Sequence, residues 1–180
     1  MNSQQDGSMT AGDHGPTIPA SARIATAAKG GYAVLLRLGE DHQLKIGRLG
    51  AFEFPAGYYL YFGSALGGLD ARVRRHLKRA KKRHWHIDHV SAVASAVQVW
   101  WASGTERLEC AWARAVLDLP GVSAPAPGFG SSDCSCPSHL ALLPDTPCAV
   151  ESAMERVRTS QTGVGLQVTP VVAGGTGPGL

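Results

Sequence analysis

Residues 54–65 read Phe-Pro-Ala-Gly-Tyr-Tyr-Leu-Tyr-Phe-Gly-Ser-Ala, and no other stretch narrows the choice of fold as far. Pro55-Ala56-Gly57 punctuates a turn, and Tyr58 to Phe62 is an aromatic, β-prone run. A glycine-rich loop at 63–68 follows. Next, LDARVRRHLKRA places Leu69, Val73, Leu77 and Ala80 on one stripe, which predicts a helix over 69–80. Upstream, GGYAVLLRL at 30–38 alternates with both faces mostly apolar, the pattern of a central strand. These segments predict an α+β fold, a small and mainly antiparallel sheet flanked by helices.

The remaining elements are less sharply drawn. Residues 44–50 alternate as a second strand, and Phe52-Glu53-Phe54 precedes the Pro-Ala-Gly turn. Residues 84–101 hold a helix followed by a strand, which periodicity does not separate. A helix is expected over 105–118, ended by Pro120-Gly121, with a loop over 121–139 and a short strand at 139–143. Residues 150–158 suit a short helix. The 180 residues are 44% hydrophobic, enough for one packed domain, expected at 29–150. The compositions of 1–28 and 151–180 predict flexible N- and C-terminal tails.

The net charge of +3 says little, but its distribution says more. Eight of the 17 Lys and Arg residues fall within 72–83, with no acid among them. Such a local field attracts polyanions, nucleic acid above all, although a solvated helix face is the plainer reading. Arg74, Arg75, Lys78, Arg79 and Lys82 are the expected phosphate-contacting side chains. No apolar stretch approaches the ~20 residues that span a bilayer, and the first residues lack a secretory pattern, so no membrane association and a cytoplasmic location are expected. The four cysteines are then expected as thiols or metal ligands.

The strings FPAGYYLYFGSA, LDARVRRHL, HWHIDHV, LECAWA and GFGSSDCSCPSHL stand in order within residues 30–143. Together with Gly30-Gly31-Tyr32 at a strand start and Tyr61-Phe62-Gly63 at a strand end, they resemble the GIY-YIG nuclease superfamily, and within it the Uri-type proteins. Gly31 replaces the usual Ile and Phe62 the usual Ile or Val, and neither change touches a reacting group. The gap between the triplets is longer than in common members, with 44–55 as an extra hairpin or loop. No residue is assignable to the superfamily's late Asn.

The resemblance implies a metal-dependent endonuclease hydrolysing phosphodiester bonds in nucleic acid, DNA ahead of RNA, with a place in DNA repair. It implies catalytic roles for Tyr32, Tyr61, Arg72, His76 and Glu109. Tyr61 would take a proton from water with Tyr32 close by, and Arg72 would offer its donor fork to the phosphate. His76, one turn after Arg72, would bond the phosphate or orient a tyrosine. Glu109 would supply oxygen to Mg²⁺ or Mn²⁺, ions that keep several waters and need few protein ligands.

Two alternatives stand beside this reading. One is a nucleic-acid-binding module of the same fold with weak catalysis. The other is a zinc-stabilised structural domain built on Cys134, Cys136 and His139, with Cys110, His84 or His86 as further ligands. Cys-x-Cys-x-x-His is not a common zinc spacing. A tight loop in which the cysteines merely pack, or one that borders the nuclease site through Asp133 or His139, remains open.

Overall fold

The computed structural model describes residues 16–19, 24–25, 27–78, 81–160 and 165–172. A five-stranded antiparallel sheet forms its middle layer. Strands β1 (Gly30–Leu38), β4 (Gly57–Ala65), β5 (Ser95–Ser103), β6 (Leu140–Leu142) and β7 (Gln167–Pro170) lie in the order β6-β4-β1-β5-β7. Strands β2 (His42–Ile46) and β3 (Gly50–Phe54) pair as a separate hairpin. The helices are α1 (Leu69–Leu77), the short α2 (Ile87–Val90), α3 (Glu109–Leu117) and α4 (Ala149–Thr159).

The alternation of β1 explains the layering. Val34, Leu36 and Leu38 join Leu69 and Val73 of α1, Ile87 and Val90 of α2, and Ile46 and Phe54 of the hairpin in one buried cluster. Ala33 and Leu35 face the other way, onto Trp112, Ala113 and Val116 of α3 and Ala153 and Val157 of α4. A strand buried on both faces needs apolar residues on both, which β1 supplies as far as Leu36, with Arg37 exposed near its end. The expected α+β architecture, an antiparallel sheet flanked by helices, is therefore observed.

Several boundaries differ from those expected. Residues 44–50 are not one strand: Gly47, at φ 49°, turns the chain, and the Leu49 amide bonds the Ile46 carbonyl at 2.9 Å. The expected extra hairpin is thus formed by β2 and β3. Helix α1 stops at Leu77, because Lys78 is extended and the Lys81 ammonium donates to the free carbonyls of Arg75 and His76 at 3.2 and 2.8 Å. Helix α3 begins at Glu109 instead of 105.

The described parts of the flanks pack against the sheet. Helix α4 lies on α3, β7 adds to the free edge of β5, and Thr17 bridges Val172. Ile18 and Ile24 are buried in the first cluster. Free tails were expected there because four-residue pairings leave almost no periodic signal.

Candidate active site and thiol cluster

The β1–β4 pairing brings the first two candidates together. Tyr32 lies opposite Gly63, and Val34 opposite Tyr61. A Cβ at Gly63 would fall onto the Tyr32 hydroxyl and lie 2.5 Å from the ring carbon bearing it. The glycine of Tyr61-Phe62-Gly63 is thus a site where another side chain crosses the backbone. Gly31 has a similar duty. A Cβ there would lie 2.7 Å from the Cβ of Leu108, so its absence lets the start of α3 approach β1.

Tyr32 is 1% exposed, and its hydroxyl is 2.7 Å from Nε2 of His76. The rings of Tyr32 and Tyr61 lie with their centroids 6.4 Å apart. Burial pushes both phenols up, Tyr61 to about 12, while the Arg72 guanidinium pulls in the opposite direction. The neighbouring Tyr61 adds to the rise at Tyr32, so Tyr61 is the easier of the two to ionise. Burial, with Lys81 adding to it, lowers the buried His76 to about 3 and leaves its imidazole neutral at pH 7.

Glu109 comes from the layer on the other side of the sheet. Its side chain lies in the same cleft of about 620 Å³ as Tyr32, Tyr61, Arg72 and His139. Ser64 fixes it there, donating to the Glu109 carboxylate while accepting the Leu108 amide at 3.2 Å. Glu109 is 9% exposed, and its carboxylate faces a cleft that also presents a guanidinium and two phenols.

Arg72 is held by stacking. Its guanidinium lies 4.4 Å from the centre of the Trp85 ring, and that of Arg75 lies 4.0 Å from it. Trp85 lines the cleft under this cover. Arg75 makes a two-pronged bond to Asp88, at 2.9 Å to each oxygen. Asp88, 1% exposed, also accepts the amides of His84 and Trp85 at 2.8 and 3.0 Å and lies 3.5 Å from Lys81. Burial acts to raise its pKa, but these partners outweigh it and hold the carboxyl well below its usual range.

The basic stretch is therefore divided. Arg75 is committed inside the fold, and Arg74 pairs with Asp70 at 2.8 Å. Each of these two expected phosphate contacts already has a carboxylate partner, buried for Arg75 and on the same helix for Arg74. Lys78 and Lys82 are exposed, and Arg79 lies outside the described residues. His84 and Arg107 also line the cleft, although the sequence does not assign them to substrate. Asp88 and Ser64 were missed altogether. Asp88 had one signal, as the lone acid of residues 71–105 beside a basic run. Ser64 had none.

Behind His139 lies the cluster of soft ligands. Donor atoms of Cys110, Cys134, Cys136 and His139 all fall within 4.8 Å of one another, a grouping able to hold a metal. Cys110 on α3 completes the set; His86 instead accepts the Gly130 amide at 3.0 Å, and His84 lines the cleft. Asp133 and His139 also line the cleft, so the loop borders it.

No helix among the described residues is long and apolar enough to cross a membrane. Neither a curated protein nor a solved structure matches the chain. A family model described as "Domain of unknown function DUF123" matches residues 31–162, a span that includes the cleft and the thiol cluster. The protein belongs to the DUF123 family.

Proposed function

We propose that this protein is a metal-dependent endonuclease of the GIY-YIG superfamily, Uri-type, that hydrolyses phosphodiester bonds in DNA in preference to RNA and serves DNA repair. One observation carries the reading: Tyr32, Tyr61, Arg72 and Glu109, spread along the chain on β1, β4, α1 and α3, converge on one cleft. The five ordered sequence strings support it from the other side.

The chemistry follows from the contacts. As its phenolate, the form that the Arg72 guanidinium and a bound metal ion would favour, Tyr61 accepts the proton of the attacking water and is left as the neutral phenol. His76, neutral at pH 7, is hydrogen-bonded to the Tyr32 hydroxyl and fixes that phenol beside Tyr61. Arg72, braced on Trp85, presents its fork of donors to the phosphoryl oxygens. Glu109, oriented by Ser64, would hold Mg²⁺ or Mn²⁺; one carboxylate suffices for an ion that keeps most of its waters. Bound there, the ion would neutralise charge building on the phosphate. Lys78 and Lys82 extend the positive surface beside the cleft for the rest of the strand.

The test is cutting of labelled single-stranded, duplex and branched DNA, and of RNA, with Mg²⁺ or Mn²⁺. Glu109→Gln and Arg72→Ala should each remove cutting while leaving the fold intact. Salt-sensitive binding without cutting would make the protein a binding module. Cutting that survives both substitutions would refute the site.

A further inference from the structure

We propose that Cys110, Cys134, Cys136 and His139 bind one zinc ion as a closed, structural Cys3His site that fastens the first turn of α3 to the 128–139 loop. The distances fit the ion. In tetrahedral zinc with Zn–S near 2.3 Å and Zn–N near 2.0 Å, donors stand roughly 3.5–3.8 Å apart. Here Nε2 of His139 lies 3.6 Å from Sγ of Cys110 and 3.4 Å from Sγ of Cys134. Sγ of Cys136 completes the group, with all four donor atoms within 4.8 Å of one another. Thiolates and one imidazole select zinc over the hard cation expected at Glu109.

The loop is built to hold these donors in place. Gly128 and Gly130 adopt φ values of 79° and 71°, which other residues rarely adopt. The Gly128 amide bonds the Pro137 carbonyl at 2.7 Å, and the His139 amide bonds the Phe129 carbonyl at 2.7 Å, so the segment closes on itself. Nε2 of His139 faces the sulfurs of Cys110 and Cys134. A long loop with little regular structure gains most from such a staple.

Four protein ligands fill the coordination shell, so this ion would be no Lewis acid for the cleft. Its influence is positional. Cys110 follows Glu109 directly, and His139 lines the cleft. The site does not depend on the nuclease reading, and zinc retention is expected whether or not the chain cuts nucleic acid.

Full-length protein purified under reducing conditions should carry one zinc per chain by elemental mass spectrometry. Replacement by Co²⁺ should give the intense visible bands of a tetrahedral site and thiolate charge-transfer absorption. Cys136→Ser should weaken Zn²⁺ binding by more than the ~10–100-fold typical of outer-shell changes. Cys148→Ser, at the exposed fourth cysteine, should retain the metal in full. Because the Cys136 variant can fail to fold, the wild-type cobalt spectrum decides independently. Metal-free protein with four titratable thiols and no cobalt spectrum would overturn the proposal, as would a disulfide among Cys110, Cys134 and Cys136. Loss of cutting with zinc retained would count against the nuclease reading alone.

Discussion

The Tyr32 hydroxyl of β1 lies 2.7 Å from Nε2 of His76 on α1, and both side chains are buried. This pair makes stability depend on pH. Burial holds the folded His76 at about 3, whereas an unfolded histidine titrates near 6.5. Between those values the unfolded chain binds a proton that the folded chain refuses. The contribution is therefore complete above about pH 6.5 and is lost as pH falls toward about 3. His76→Gln keeps hydrogen-bonding groups and removes the titration. In urea unfolding at pH 7 and pH 5, the wild type should lose more stability than the variant, on the order of 1 kcal/mol per pH unit in that window. His86, His89 and His139 are also lowered, chiefly by burial, but they are common to both proteins and cancel. Parallel losses would show that His76 is not held neutral.

Gly63 sets where the Tyr32 hydroxyl sits. An added methyl would meet the phenol, and His76 behind it blocks retreat. Gly63→Ala should cost about 1–3 kcal/mol in thermal or urea unfolding, the usual cost of overpacking. It should also lower the cutting rate on the order of 100-fold, because a shift near 1 Å misaligns the tyrosine pair. Full activity in this variant would remove the Tyr32 hydroxyl from the chemistry.

Strand β1 was readable because it is buried on both faces, and the start of α1 because its apolar stripe repeats at helical spacing. The end of α1 was not, since Lys78 to Lys82 are ordinary helix formers and the stop depends on where the Lys81 ammonium reaches. The cleft residues were legible through their order along the chain. Their supports were not: Ser64 acts on residues 44 and 45 positions away, and Cys110 joins Cys134 only after α3 packs on the sheet. Strand β7 was hidden because its four residues lie in a Gly- and Pro-rich stretch and pair with β5 far upstream.

Asp88 and the lysines beside α1 separate folding charges from binding charges. Asp88→Ala would leave the Arg75 guanidinium, the Lys81 ammonium and two backbone amides without their acceptor. A loss of about 3 kcal/mol or more is expected, the range for breaking a buried ion pair from one side. Lys78→Ala with Lys82→Ala should leave stability within about 0.5 kcal/mol, as expected of exposed positions. In DNA-binding titrations across salt concentration, that double variant should reduce the slope of log K against log salt by up to roughly 2. An unchanged slope would place the nucleic-acid path elsewhere on the surface.

Ser64 gives the sharpest test of what Glu109 does. Its hydroxyl holds the Leu108 amide and the Glu109 carboxylate at once, joining β4 to the first turn of α3. Ser64→Ala should cost only about 1 kcal/mol of stability, because the freed carboxylate faces an open cleft where water can replace the lost bond. If Glu109 holds the Mg²⁺ or Mn²⁺, loss of its orienting partner should raise the metal concentration for half-maximal cutting by about 10–100-fold, as outer-shell changes do. The zinc content should not change, since Ser64 touches no member of the thiol cluster. A lower rate with unchanged metal dependence would mean that Glu109 serves the reaction by its charge or its packing, and the metal would then need another ligand.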